Sequence, residues 1–128
     1  FNLSQIKEIL KELKNDKKVI LSVFAGRIAD TGVDPEPVMS EIVNYSKSHK
    51  KAEILWASPR ELINIYQADK IGCHIITVQK EIINKIKLIG KDLNTYSLET
   101  IKMFYKDATE DGFKIEKNFH YRWSRLLR

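Results

Sequence analysis

VILSVF, residues 19–24, is a short and nearly continuous apolar run that is rich in β-branched side chains. Such a run predicts a strand that is buried on both faces, as is typical of parallel sheets. Before it, apolar residues recur at helical spacing over residues 3–13, and Asn2 with Gln5 resembles a capping pair at the start of that helix. After it, residues 25–37 are rich in Gly, Asp and Pro, which indicates a loop.

The same order occurs twice more along the chain. Helical spacing at residues 38–48 is followed by a second predicted strand, AEILWA at residues 52–57. Ser58 then predicts a helix N-cap, because Pro follows it and Glu61 stands three residues later. That helix is expected to end at Gly72, and CHIITV at residues 73–78 predicts the third strand.

Two more helices are expected after the third strand. Ile82, Ile83 and Ile86 mark the first, and the second runs from Ser97 to Gly112. Strands that are each followed by a helix predict right-handed crossovers and a parallel sheet. Three parallel strands leave edges that need pairing. We therefore expect an α/β fold whose further strands come from a partner chain or from a larger sheet.

Composition narrows the class of protein. The chain has 128 residues, of which 43% are hydrophobic and 30% charged, so it amounts to one domain or less. Its net charge of +5 favours anionic partners, although a mildly basic protein is common. The single cysteine, Cys73, excludes an internal disulfide and fits the cytoplasm, and its setting suits a buried small side chain better than a nucleophile. No apolar stretch approaches a membrane span, and the chain does not begin with Met, so we expect a piece of something longer.

Arginines follow the first two predicted strands at equivalent positions. Arg27 stands in FAGRIAD and Arg60 in SPRE. Active sites of α/β barrels lie at the carboxyl ends of the strands, so both side chains should reach the same mouth. Two guanidinium forks near a helix N-terminus match a phosphate group. Either arginine alone is more often a surface ion pair. Asp30 either pairs with Arg27 or is a loop residue, and we expect the ion pair. If Ser58 and Glu61 cap their own helix, Arg60 must carry more of the binding.

The remaining chemical side chains give weaker indications. Ser22 lies within a predicted strand and either bonds a neighbouring backbone group or lines a barrel interior. The histidines, His49, His74 and His120, are scattered without metal-ligand spacing, so no metal is expected. No glycine-rich phosphate loop or dinucleotide fingerprint is present, and we expect no cofactor.

Three stretches resemble one family. VFAGRIAD at residues 23–30, ILWASPR at residues 54–60 and GCHIITV at residues 72–78 are similar to the transaldolase and fructose-6-phosphate aldolase family. The resemblance covers roughly residues 1–115 and implies strands six to eight, with their helices, of a TIM (β/α)8 barrel. Residues 116–128, a basic and aromatic stretch, depart from the family and are interpreted as a subunit contact or a packed C-terminal extension.

The resemblance also implies roles for particular residues. Arg27 and Arg60 would hold the substrate phosphate, Ser22 would match a serine at the substrate site, and Ser58 a serine near the phosphate. The family's Schiff-base lysine belongs to the fourth strand and its acid/base carboxylates to the first and third. None of those strands is present, so this segment would bind substrate and carry no catalytic residue.

Three hypotheses follow for the function. The favoured one is an enzyme of carbohydrate metabolism that transfers or cleaves a ketose phosphate through a lysine Schiff base, with this segment inactive by itself. The alternative is a non-catalytic phosphosugar-binding or assembly module. Nucleic-acid binding through the basic tail is least favoured. The expected partners are a sugar phosphate, the remaining barrel half or a partner chain, and further copies of the protein in a homo-oligomer, with no membrane.

Overall fold

The computed structural model of the chain describes residues 1–13 and 17–112. Within residues 1–87, which form one compact unit, the elements are α1 (Leu3–Glu12), β1 (Val19–Val23), α2 (Ala25–Asp30), α3 (Pro35–Ser46), β2 (Ala52–Trp56), α4 (Ile63–Lys70), β3 (Ile75–Ile76) and α5 (Lys80–Ile83). A short 3-10 helix (Ile86–Leu88) leads to the second unit, residues 88–128, whose described element is α6 (Leu93–Glu110).

The strands β1, β2 and β3 form a parallel sheet in that order, which confirms the predicted α/β arrangement. Hydrogen bonds continue beyond the strands at their carboxyl ends: the Ala57 N–H donates to the Val23 carbonyl at 2.9 Å, and the Thr77 N–H donates to the Trp56 carbonyl at 3.2 Å. Consecutive parallel strands alternating with helices are consistent with part of a TIM barrel. All three strands therefore present their carboxyl ends at one edge.

The apolar core lies on one face of the sheet. It is built from alternate strand residues and the inner sides of the helices, among them Ile6, Leu10, Leu21, Val23, Met39, Ile42, Val43, Ile54 and Trp56. The prediction that the first strand is buried on both faces is wrong, because Ile20 is 54% exposed and Ser22 is also exposed. The apolar run of residues 19–24 therefore has one face that packs on the helices and one face that is exposed in this chain.

The stretch predicted as a loop, residues 25–37, contains helix instead. α2 follows β1 without a connecting loop, and α3 begins at Pro35 with Asp34 as its N-cap. The Asp34 carboxylate accepts the Glu36 N–H at 3.0 Å. Proline at the first helical position lacks the N–H that a helix start leaves unused, so the Pro that suggested a loop favours a helix start here. The capping pair of Asn2 and Gln5 is confirmed.

β3 is shorter than predicted because side chains replace some of the backbone hydrogen bonds that it would otherwise form with β2. Two backbone groups of the fully buried Ile54 are bonded to the residues just before β3. The His74 Nδ1 accepts the Ile54 N–H at 3.1 Å, and the Cys73 thiol donates to the Ile54 carbonyl at 3.3 Å. The buried backbone is thus satisfied without an extended third strand.

In the second unit, α6 starts earlier than predicted. Asp92, rather than Ser97, is its N-cap, and the Asp92 carboxylate accepts the Thr95 N–H at 2.8 Å. This bond and the Thr95 hydroxyl lower the pKa of Asp92. The apolar residues that indicated the helix, such as Ile101 and Phe104, are 60% and 63% exposed.

Replacing His74 with Phe tests the side-chain substitute for β3. The change leaves the buried Ile54 N–H without its acceptor, so we expect a loss of about 1–3 kcal/mol in the free energy of unfolding. Amide hydrogen exchange at Ile54 should also become faster. His74→Asn, which keeps an acceptor, should lose less. His49→Phe serves as the control, because among the described residues the His49 ring hydrogen-bonds the neighbouring Ser48 side chain and no buried backbone group. Unchanged exchange at Ile54 in His74→Phe would contradict the assignment.

Candidate functional site

Arg27 lies where β1 passes directly into α2. The carbonyl of Phe24, the residue between the two elements, accepts the N–H groups of Arg27 at 2.9 Å and Ile28 at 3.2 Å. The helix therefore begins immediately after the strand, and its first turn stands at the carboxyl edge of the sheet. Arg27 is thus at the edge where the sequence placed it.

Asp30, the last residue of α2, joins the two arginines. The Arg60 guanidinium holds its carboxylate bidentately, with Nε donating to Oδ1 at 2.9 Å and Nη2 donating to Oδ2 at 2.5 Å. The Arg27 Nη1 lies 3.8 Å from the same Oδ2. The predicted ion pair between Asp30 and Arg27 is confirmed, and the structure adds Arg60 to it. The two guanidinium groups therefore converge on one carboxylate.

The cluster of Arg27, Arg60 and Asp30 carries one positive charge in excess. Its side chains are 67%, 41% and 40% exposed, and solvent screening at such exposure leaves surface ion pairs little effect on stability. The pairing instead orients the Arg60 guanidinium group, which hydrogen-bonds both carboxylate oxygens of Asp30. Arg60 uses two of its five N–H donors on Asp30, and Arg27 lies beyond hydrogen-bond distance from it. Donors therefore remain for an anion.

The segments that carry the two arginines touch through their backbones. The Gly26 N–H donates to the Ala57 carbonyl at 3.2 Å. A Cβ on Gly26 would lie 1.7 Å from the carbonyl oxygen of Ser58, a distance that no side chain tolerates. Ser58 adopts φ of +57°, a left-handed conformation that costs a residue with a Cβ roughly 1–2 kcal/mol. This close approach brings together the backbone segments that carry Arg27 and Arg60.

The predicted helix cap at Ser58 is wrong. α4 begins only at Ile63, and the left-handed Ser58 lacks the extended backbone of an N-cap. The N–H groups of Arg60 and Glu61 instead donate to Oδ1 of Asn64, at 2.8 Å and 3.0 Å. Those two N–H groups are thus unavailable to a ligand. Arg60 must therefore bind mainly through its side chain, as expected, but the reason is Asn64 and not a cap formed by Ser58 and Glu61.

Ser22 lies on the open face of the sheet. It is in register with Leu55 of β2, and its hydroxyl has no hydrogen-bond partner within residues 1–13 and 17–112. The bond to a neighbouring backbone group that we considered is therefore not formed there. The structure does not bring Ser22 to the two arginines through any bond, and its role at a substrate stays a prediction.

The other reactive side chains give no second centre. Burial raises the pKa of the Cys73 thiol, an effect that bonds from the backbone of Ile75, Trp56 and His74 partly offset. Cys73 is therefore not an activated nucleophile. Within the described ranges no cluster of three or more His, Cys, Asp or Glu could hold a metal ion. No described helix has the length and apolar character needed to cross a membrane. His120 and residues 116–128 lie outside the described residues.

Sequence reasoning missed two residues of the site. Gly26 stands between a strand end and an arginine, and a glycine there is a recognised sign of close backbone approach. Asn64 is 9% exposed, and its Nδ2 also donates to Oε1 of Gln67 at 2.8 Å. An asparagine inside a helical pattern gives no comparable sign, because its partners depend on the path of the preceding loop.

Fold and site together define a class: an α/β chain of parallel βα units with a paired-arginine site at the carboxyl edge of its sheet. The family model of Transaldolase/Fructose-6-phosphate aldolase matches residues 1–123, and the chain belongs to this family. The match runs past residue 115, where the resemblance of the sequence was expected to end.

Two relatives support this assignment. A "Probable transaldolase" of Thermoanaerobacter sp. (strain X514) is 30% identical over 96 residues, which is 74% of this chain and 42% of the relative. A "Probable transaldolase" of Nitrosopumilus maritimus (strain SCM1) is 34% identical over 68 residues, 52% of this chain and 31% of the relative. The matched part of the chain thus spans less than half the length of these relatives.

Gly26→Ala tests the backbone contact. The added methyl group would collide with the Ser58 carbonyl, and overpacking against backbone should cost at least the roughly 1–3 kcal/mol typical of buried collisions. Denaturant unfolding measures the loss, and the NMR signal of the Arg60 Nε–H should shift as well. Gly32→Ala is the matched control, because its Cβ meets nothing within 4 Å and its positive φ of 80° is the sole strain. Equal stability of Gly26→Ala and the parent chain would contradict the contact.

Proposed function

We propose that the intact protein is a transaldolase or fructose-6-phosphate aldolase, and that this chain supplies the side of the active site that binds the substrate phosphate. The observation that carries the proposal is the convergence of Arg27 and Arg60 on Asp30 at the carboxyl edge of the parallel sheet. In barrels of this kind substrates bind at that edge. Membership of the family supplies the reaction: transfer or cleavage of a ketose phosphate through a lysine Schiff base.

The chemistry of the two arginines suits a phosphate ester. Guanidinium groups hold phosphate oxygens through paired N–H donors, and such charge-assisted bonds are stronger than neutral ones. Asp30 accepts two N–H groups of Arg60. The other three N–H groups of Arg60 and those of Arg27 remain for the ligand. Ser58, which immediately precedes Pro59 and Arg60 at the same edge, is the proposed neighbour of the phosphate.

We place the strands as the sixth, seventh and eighth of the barrel. The numbering rests on the resemblance of the sequence, while the consecutive pairing and a core on one face, with Ile20 and Ser22 exposed on the other, support three neighbouring strands of a barrel. In a closed barrel the helices lie outside and the second face lines the interior. The remaining strands, from a longer polypeptide or a partner chain, would cover that face and bring the Schiff-base lysine and the acid/base carboxylates. On this placement Ser22 contacts the substrate from inside.

Further parts of the proposal rest on the sequence. The protein is expected to form a homo-oligomer in the cytoplasm and to need no cofactor. Residues 116–128 are proposed as a C-terminal extension that either packs on the protein itself or contacts another subunit.

Arg27→Ala and Arg60→Ala test the phosphate role. Each removes one charged contact, which should weaken the binding of fructose 6-phosphate to the intact protein by about 10- to 150-fold. Isothermal titration calorimetry gives the dissociation constants. Lys70→Ala removes a positive charge that pairs with Glu36 instead of Asp30, and it should change binding little. Unaltered affinity in both arginine variants would sink the proposal.

Borohydride trapping tests the reaction. We expect a covalent adduct on a lysine when the intact protein is incubated with fructose 6-phosphate and sodium borohydride. That lysine should lie outside β1, β2 and β3. Mass spectrometry of peptides locates it. Failure to form any adduct would contradict Schiff-base chemistry.

The alternative function is a non-catalytic phosphosugar-binding module. It rests on the same two arginines, and the lysine-free strands VILSV, AEILW and II fit both functions, because the enzyme would carry its Schiff-base lysine on other strands. Phosphate binding that depends on both arginines, together with no adduct, would support this alternative.

A further inference from the structure

We propose that Asn64 is a positioning residue for the phosphate site, because its amide oxygen fixes the backbone of Arg60. The inference rests on the proposed phosphate role of Arg60. Asn64 belongs to α4, and its Oδ1 accepts the N–H of Arg60 at 2.8 Å and the N–H of Glu61 at 3.0 Å. It touches neither Asp30 nor Arg27 through a hydrogen bond of the described residues, so it acts through Arg60.

The segment before Arg60 has few other restraints. After Ala57, whose carbonyl accepts the Gly26 N–H, the chain enters the left-handed Ser58. Pro59 has no N–H to donate. Asn64 Oδ1 is therefore the first acceptor that the backbone N–H groups meet beyond Ser58 within the described part of the chain. It determines where Arg60 leaves the backbone.

The position of the Arg60 Cα matters because the side chain is long and 41% exposed. Asp30 holds the guanidinium end, and Asn64 holds the backbone end. With both ends held, fewer rotamers remain to be lost when a phosphate binds. Without the Asn64 oxygen the Arg60 N–H would lose its acceptor, and the backbone at Arg60 would be held only indirectly, by Ser58 against Gly26 and by the Glu61 carbonyl, which accepts the Asn64 N–H at 3.1 Å.

Asn64 is itself held in place. It is 9% exposed, and its Nδ2 donates to Oε1 of Gln67 on the same helix at 2.8 Å. This bond orients the amide so that the oxygen, rather than the nitrogen, faces the two N–H groups. If Asn64 had a purely structural role, replacing it would lower stability but leave the phosphate affinity of the folded protein unchanged. If Asn64 positions Arg60, replacing it must also lower the phosphate affinity of the folded protein.

The test compares Asn64→Leu with Asn64→Asp in the intact protein, with inorganic phosphate as the probe. Leu removes the accepting oxygen, and we expect the dissociation constant for phosphate to rise by about 10-fold. Asp keeps an accepting oxygen and should bind phosphate more tightly than Leu does. If only the added negative charge mattered, the Asp variant would bind phosphate more weakly than the Leu variant. Asn64→Ala replaces Leu if that variant does not fold.

Two controls separate the outcomes. Asn44→Leu makes the same change at an exposed position whose amide accepts from Lys47, and it should leave phosphate binding unchanged. Arg60→Ala must weaken binding. Phosphate affinity that falls in Arg60→Ala but not in Asn64→Leu overturns the positioning role and leaves the proposed function standing. An Asp variant weaker than Leu also overturns it. No loss in Arg60→Ala overturns both the positioning role and the phosphate site.

Discussion

The arrangement of this molecule depends on one contact, in which the backbone of Gly26 lies against the backbone of Ser58. Parallel pairing of β1 with β2 brings the two strand ends to one edge, and the missing side chain of Gly26 lets the following segments meet. Ser58 accommodates the approach in a left-handed conformation. Strain of this kind is maintained only where surrounding structure enforces it, and it is common at functional sites.

That contact also determines where the charged side chains of the site begin. Arg27 and Arg60 stand one and two residues beyond the touching pair, so their side chains start from neighbouring points. Asp30, one helical turn after Arg27, reaches both. A carboxylate between two guanidinium groups reduces their mutual repulsion in the absence of a ligand while leaving a net positive charge. The proposed binding of an anion rests on this net positive charge.

Much of the fold could be predicted because it depends on local patterns. Apolar runs and helical spacing placed the strands and most helices, and two strand-end arginines indicated the site. The failures involve interactions between distant segments. The open face that exposes Ile20 depends on what else is present to cover it. The path after Ser58 depends on Gly26 from another repeat, and the bonds of Asn64 depend on that path. The proline near position 35 was ambiguous, because proline both breaks and begins helices.

The proposed function depends on a substrate phosphate that is bound by N–H donors of both Arg27 and Arg60 which Asp30 does not use. Crystallography of the intact protein with a bound ketose phosphate tests it most directly. We expect phosphate oxygens within hydrogen-bond distance of both arginines, with the Asp30 carboxylate still bound to Arg60. A phosphate bound elsewhere, with both arginines left to solvent, would contradict it.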